Sequence, residues 1–252
     1  ALASEIKHNY KKILIFGIGG SYLGPKLMED IFSSKELEID FITGSDPSEY
    51  QQYLEQDLSD CAFIITSKSF STIETLTSYH AITKGKLLNQ TYAVTSLVDK
   101  AETFGISSNN IAEIDIGTGG RFSIWSAVNL GLFIRLGRDR FKDFLKGGKT
   151  IDDLSSSDIA NNPALSLAIQ DLIMNNLLQM DSTLILNYDY KLRNFSSYIQ
   201  QLEMESLGKS VDRDTGESLS YETGSIVWGG YGPRSQHSFF QHLFQGTKEA
   251  NA

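Results

Sequence analysis

Three glycine- and hydroxyl-rich turns, a pair of glutamates and one histidine are the residues of this 252-residue chain whose types and spacing allow chemistry. The run Thr66-Ser67-Lys68-Ser69-Phe70-Ser71-Thr72 supplies five hydroxyls and one ammonium where a helical stretch begins. Hydroxyls, backbone N–H groups and the positive end of a helix dipole together suit a phosphate. N-capping by Ser69 or Ser71, with the other hydroxyls in water, accounts for the same residues equally well. Upstream, Gly17-Ile18-Gly19-Gly20-Ser21-Tyr22-Leu23-Gly24 is a glycine-rich turn leading into another helical stretch. It fails the dinucleotide fingerprint, because the third glycine of G-x-G-x-x-G falls on Tyr22, and no Gly-Lys-Ser/Thr of a P-loop follows. That turn reads either as a sugar-phosphate contact or as a tight structural turn.

Glu203 and Glu205 stand in Gln200-Gln201-Leu202-Glu203-Met204-Glu205-Ser206-Leu207-Gly208-Lys209. Alone, they read as solvated helix charges, and a base role for either needs further support. His237, in Gly232-Pro233-Arg234-Ser235-Gln236-His237-Ser238-Phe239-Phe240-Gln241, reads by itself as a polar residue at a helix start. His242 lies five positions on and off the same helical face, against a metal pair; His8 and His80 have no acidic or cysteine company. No metal site is expected. The single cysteine, Cys61, lies in the apolar run Cys61-Ala62-Phe63-Ile64-Ile65, so it reads as strand interior and can form no intrachain disulfide.

The elements that must position these residues alternate. Short β-rich runs at Lys12–Phe16, Ile39–Thr43, Ala62–Thr66, Tyr92–Val94 and Ile111–Ile116 are separated by helix-compatible stretches at Pro25–Phe32, Pro47–Leu58, Ser71–Lys84 and Asp99–Phe104. That alternation implies βαβ units: an α/β fold with a parallel sheet sandwiched by helices. From Ser123 to about Met180 the pattern is mainly helical, interrupted by Gly147-Gly148 and by Ser155-Ser156-Ser157-Asp158, a junction between lobes. Two further β-like runs, Thr183–Leu186 and Ser225–Trp228, each followed by a helical stretch (Asn194–Ser206, Ser235–Phe244), start a second α/β unit. The expected domains are 1–180 and 181–252.

With 40% hydrophobic and 21% charged residues the chain is globular in composition, and charges break every apolar run before a membrane-spanning length of about 20 residues. The polar start Ala1–Lys12 lacks the apolar core of an export signal, so a soluble, cytoplasmic protein is expected. A formal charge of −9 argues against nucleic acid as a partner, while leaving room for a small anion held by local donors.

Gly117-Thr118-Gly119-Gly120-Arg121-Phe122-Ser123-Ile124-Trp125, running on through small and apolar residues to Gly131, resembles the signature of the glucose-6-phosphate isomerase family. Segments at Gly17–Pro25, Ser67–Thr75, Gly119–Gly131, Gln200–Val211 and Ile226–Lys248 resemble that family in the same order. The resemblance implies two sugar-isomerase domains, the second partial, and an aldose–ketose isomerase that interconverts glucose 6-phosphate and fructose 6-phosphate with no metal or organic cofactor. By position it implies a phosphate loop of Ser67, Lys68, Ser69 and Thr72, substrate contacts from Gly20, Ser21 and Gln201, and a catalytic base at Glu205. Arg121, a permanent cation with forked donors, suits the oxygen charge that develops in the reaction. His237 falls on the family's histidine for ring opening, which reaches into the partner's site of a homodimer. Two positions depart from the pattern: Leu207 replaces an asparagine, and Gly232-Pro233-Arg234-Ser235 replaces Gly-Thr-Asn. Members of the family are about twice as long, and no residue here matches the active-site lysine of their C-terminal region. The alternative reading is a sugar-phosphate-binding domain that performs no chemistry.

Overall fold

The computed structural model describes residues 2–34 and 36–247, so Lys248, the end of the fifth resembling segment, lies outside the described residues. The chain divides between Phe141 and Lys142 into two compact units. The helical stretch 142–180, which the sequence pattern joins to the first domain, groups with the second unit.

In the first unit, helix α1 (Leu2–Asn9) leads into β1 (Lys12–Phe16), α2 (Leu23–Phe32), β2 (Glu38–Ile42), the single helical turn α3 (Pro47–Tyr50), β3 (Cys61–Thr66), α4 (Ile73–Thr83), β4 (Thr91–Thr95), α5 (Val98–Thr103) and β5 (Ile111–Glu113). The five strands form one sheet in the order β2-β1-β3-β4-β5, every pairing parallel. Every residue of β3 and β4 is buried, as continuous apolar strands covered on both faces require. Side chains alternate between two cores. Leu14, Phe16, Phe63 and Ile65 face Tyr79 of α4 on one side; Ile13, Ile15, Ile64 and Val94 meet Val128 and Ile134 on the other. The Tyr79 ring stands edge-on to Phe16 with centroids 5.5 Å apart, and its hydroxyl pairs with Thr91 Oγ1 at 2.8 Å, so this buried tyrosine keeps its polar tip satisfied.

Helix α6 (Leu130–Leu136) closes the second face. Its buried Arg135 donates to Glu29 Oε1 of α2 at 2.7 Å and to the Leu37 carbonyl at 2.8 Å. That buried pair fixes α2 and α6, the helices that follow the two glycine turns. At the sheet edge, Lys12 Nζ meets Asp40 Oδ2 at 2.6 Å, and the Tyr53 hydroxyl donates to the same oxygen at 2.5 Å.

In the second unit, α7 (Arg138–Ser155) begins just before the division and α8 (Pro163–Leu172) follows it. Beyond α8, β6 (Ser182–Asn187), α9 (Phe195–Leu207) and β7 (Ile226–Tyr231) form a parallel βαβ unit, with Ser182 opposite Ile226 and Asn187 opposite Tyr231. Gly229 has φ 125°, and a Cβ there would fall 2.0 Å from the Ile185 carbonyl oxygen, so only glycine fits this crossing of β6 and β7. Short helices α10 (Gly232–Gln236) and α11 (Phe240–Gln245) follow.

Four expectations need correction. Gly147-Gly148 does not interrupt α7. A Cβ at Gly147 would meet nothing, so the only penalty is the glycine propensity of about 1 kcal/mol, and flanking pairs such as Lys149–Asp153 at 2.8 Å support the helix. The stretch at Pro47–Leu58 is one turn of α-helix followed by a 3₁₀ turn, Gln51–Tyr53, because Tyr50 and Tyr53 must both turn into the core. The helix expected directly after Ser123 is instead two 3₁₀ segments, Gly120–Trp125 and Ala127–Asn129, before α6. The stretch Ser235–Phe244 is broken at His237–Phe239 into the two short helices α10 and α11.

The Lys12 and Tyr53 contacts generate a pH prediction. Asp40 is partly buried, which alone would raise its carboxyl, but the hydrogen bonds from Lys12 and Tyr53 outweigh that and hold it below the usual range. A depressed folded-state pKa stabilises the fold above the ordinary aspartate pKa, and the contribution disappears as pH falls through the depressed value. Melting profiles should therefore show Asp40→Asn less stable than the wild type at neutral pH and converging with it as pH falls through that depressed value.

Candidate functional site

The strand order creates the first site. The connection from β1 runs to one side, to β2, whereas that from β3 runs to the other, to β4, so a crevice opens between their carboxyl ends. A pocket of about 400 Å³ occupies this place, lined by Ile18, Gly20 and Ser21 after β1 and by Thr66, Ser67, Lys68, Ser69 and Thr72 after β3; Leu97, Ile116 and Gly120 complete its wall.

Each polar group has a local reason for its position. Ser67 is buried and its Oγ pairs with Thr72 Oγ1 at 2.9 Å, which brings the loop's first and last hydroxyls together at the start of α4. Thr72 stands at the N-cap of α4 in extended backbone, the place where a hydroxyl and free N–H groups meet an anion. Ser71 Oγ donates to Ser69 Oγ at 2.8 Å. Phe70 takes a left-handed conformation, φ 47°, that drives its ring into the core beside Phe104 and reverses the loop. Five donors and one ammonium around one pocket can neutralise a phosphate through charge-assisted hydrogen bonds.

The glycine turns touch each other. A Cβ on Gly20 would lie 2.0 Å from the Gly120 carbonyl oxygen, and Ser123 Oγ donates to the carbonyls of both Gly20 (3.3 Å) and Gly120 (2.6 Å). Glycine at position 20 is thus a requirement of space. Arg121 follows the pocket residue Gly120, half-buried, with its guanidinium 4.8 Å over the Phe122 ring.

The second unit carries the remaining candidates. Gln201 Nε2 donates to Glu205 Oε2 at 2.9 Å across one turn of α9, so these two form one cluster on an exposed stretch. Glu203 points to a different place, a 190 Å³ pocket formed by the last turn of α9 and by Thr223–Ile226 at the start of β7. Burial and the neighbouring charge of Asp171 raise its carboxyl. Leu207 lines that pocket too, and a Cβ on Gly224 would fall 2.8 Å from Leu207 Cβ, so the departure at position 207 is accommodated by packing on a glycine. His237 is exposed at the far end of α10, beyond the carboxyl end of β7. Glu205 lies in the last turn of α9, which is beside the amino end of the same strand. With about 3.3 Å per residue, β7 sets these two ends on the order of 17 Å apart.

Sequence reasoning missed the pocket walls Leu97 and Ile116. Both follow strand carboxyl ends, which is the available signal. Among the described residues no group of three or more His, Cys, Asp or Glu side chains is placed to hold a metal ion, and no helix is long and apolar enough to cross a membrane.

A parallel sheet in this order, with glycine and hydroxyl loops converging at its switch point, is the α/β architecture of sugar-isomerase domains. The chain belongs to the phosphoglucose isomerase family, whose model matches residues 4–250. It is 37% identical over 249 residues to glucose-6-phosphate isomerase of Shewanella putrefaciens, a match covering 93% of this chain and 46% of that protein. To glucose-6-phosphate isomerase of Wigglesworthia glossinidia brevipalpis it is 36% identical over 249 residues, 94% of this chain and 45% of that protein. The crystal structure of a glucose-6-phosphate isomerase from Chlamydia trachomatis superposes with a TM-score of 0.87 and 30% identity, over 98% of this chain and 50% of that one. The chain therefore spans about half the length of the curated relatives it matches.

The close approach of the two glycine turns predicts that Gly20→Ala will part them. Thermal melting should show destabilisation in the overpacking range of about 1–3 kcal/mol, and added phosphate should protect the variant less than the wild type.

Proposed function

We propose that this chain carries the phosphate pocket and the catalytic base of an aldose–ketose isomerase acting on glucose 6-phosphate and fructose 6-phosphate. The observation that carries the reading is the hydroxyl-lined pocket at the switch point of a phosphoglucose isomerase family member. The phosphate, held by Ser67, Lys68, Ser69 and Thr72, supplies remote binding energy that positions the reacting carbons. Gly20 and Ser21 contact the sugar from the opposing turn, and Gln201 orients the carboxylate of Glu205 through their 2.9 Å hydrogen bond.

The chemistry is a proton shift. Glu205 takes the C2 proton of the open-chain aldose, the C2 electrons form the carbon–carbon double bond of an enediol or enediolate, and the carbonyl oxygen at C1 becomes a hydroxyl. Return of the carbon-bound proton to C1, while the C2 hydroxyl gives up its proton to balance the one taken up by the C1 oxygen and becomes the carbonyl, completes the ketose. The Arg121 guanidinium is the permanent cation for the oxygen charge that develops between these states. His237 exchanges the proton that opens the sugar ring, because an imidazole can both donate and accept a proton. Its separation from Glu205 by the length of β7 supports a homodimer in which one subunit's His237 serves the partner's Glu205. The relatives' enzyme class favours a cytoplasmic setting.

A binding-only reading rests on the same pocket, which needs neither Glu205 nor His237 to hold a phosphate. A coupled assay of fructose 6-phosphate conversion separates the two readings. Turnover by the chain that falls at least about 100-fold in Glu205→Gln supports the isomerase; phosphate binding without turnover supports the binding-only domain. Mixing and refolding Glu205→Gln with His237→Ala should restore about a quarter of wild-type sites, because half of the dimers are mixed and each has one complete site. Additive residual activity with no rescue would place both residues in one subunit's site.

A further inference from the structure

Resting on the phosphate-pocket reading, the geometry points to a device on β4 that shapes the anion loop from behind. The loop after β3 is held at two carbonyls by residues that do not line the pocket. Thr95, fully buried at the end of β4, donates its hydroxyl to the Lys68 carbonyl at 3.1 Å, and the Ser96 N–H donates to the same oxygen at 3.1 Å. One residue on, the Ser69 carbonyl accepts from Lys100 Nζ of α5 at 3.2 Å. The Thr95 hydroxyl in turn accepts the Leu97 N–H at 3.1 Å, so it ties the anion loop to the chain that places Leu97 in the pocket wall.

These contacts set the electrostatic sense of the loop. All peptides in the described chain are trans, and in a trans peptide the N–H points opposite to the C=O. Turning the Lys68 carbonyl onto β4 therefore turns the Ser69 N–H away from β4, and turns a carbonyl's negative end away from an anion held by Lys68 and Ser69. A loop carbonyl free to rotate would present negative charge to a phosphate, which is the wrong sign. Thr95 is thus a positioning residue for anion binding, with Lys100 as a second, exposed tether that acts on the next peptide.

The test is calorimetric titration of inorganic phosphate and of glucose 6-phosphate into the intact chain and into Thr95→Val, Thr95→Ser, Lys100→Met and Thr72→Val. Valine keeps the shape of threonine and removes only the hydroxyl; serine keeps the hydroxyl. The expected result is affinity for both ligands about three- to tenfold weaker in Thr95→Val, recovery in Thr95→Ser, a smaller loss in Lys100→Met, and the greatest loss in Thr72→Val. Melting temperatures without ligand show whether Thr95→Val remains folded, and Lys100→Met, altered only at an exposed tip, carries the test if it does not. Wild-type affinity in both Thr95→Val and Lys100→Met, with binding lost in Thr72→Val, would overturn this role and leave the pocket reading standing. Absence of binding by the wild type would overturn both.

Discussion

The reversal of strand order between β1 and β3 is the constraint on which the first unit depends. The chain runs from β1 to β2 on one side and from β3 to β4 on the other, so neither connection covers the carboxyl ends between them. Backbone N–H groups at those ends would be left to water in an ordinary turn. Here the sequence places Gly19-Gly20-Ser21 in one loop and four hydroxyl residues with a lysine in the other, so the opening becomes a pocket of donors. A chain with a charge of −9 can hold an anion there because the donors are local and short-ranged, whereas the net charge is spread and screened.

The same logic explains why so much buried polar chemistry surrounds a site made of small residues. Glycine at position 20 permits the Gly120 turn to approach, Ser123 bonds the carbonyls of both, and the Arg135–Glu29 pair fixes the helices that leave these turns. Ser123, Arg135 and Glu29 support the site without lining the pocket. In the second unit the βαβ topology does the opposite work: it places Glu205 near the amino end of β7 and His237 beyond the carboxyl end.

The strands and the pocket loops were legible in the sequence because their signals are local. Buried parallel strands such as Cys61–Thr66 are nearly continuous apolar runs, and the four hydroxyls that follow this one from Ser67 to Thr72 mark a helix start with unusual donor density. What was not legible depends on surroundings. Gly147-Gly148 reads as a break, yet in an exposed helix the penalty is small beside the turns on either side. The irregular path from Gly120 to Asn129 follows from the approach of the two glycine turns, and Ser126 caps the second 3₁₀ segment by accepting the Val128 N–H; neither contact has a sequence period. Thr95 falls just past the β-rich run Tyr92–Val94 and carries no sequence signal, because its partner, the Lys68 carbonyl, is 27 residues away in the chain. Glu205 could not be told from Glu203 by composition, and the resemblance to Met-Glu-Ser alone separated them; the structure adds that Gln201 bonds one while the other turns into a pocket.

The most direct measurement of the central claim is a crystal structure of the chain with fructose 6-phosphate. Phosphate oxygens are expected within hydrogen-bond distance of the Ser67, Ser69 and Thr72 hydroxyls, at the switch point of the sheet. A phosphate bound elsewhere, with this pocket holding only water at saturating ligand, would contradict it.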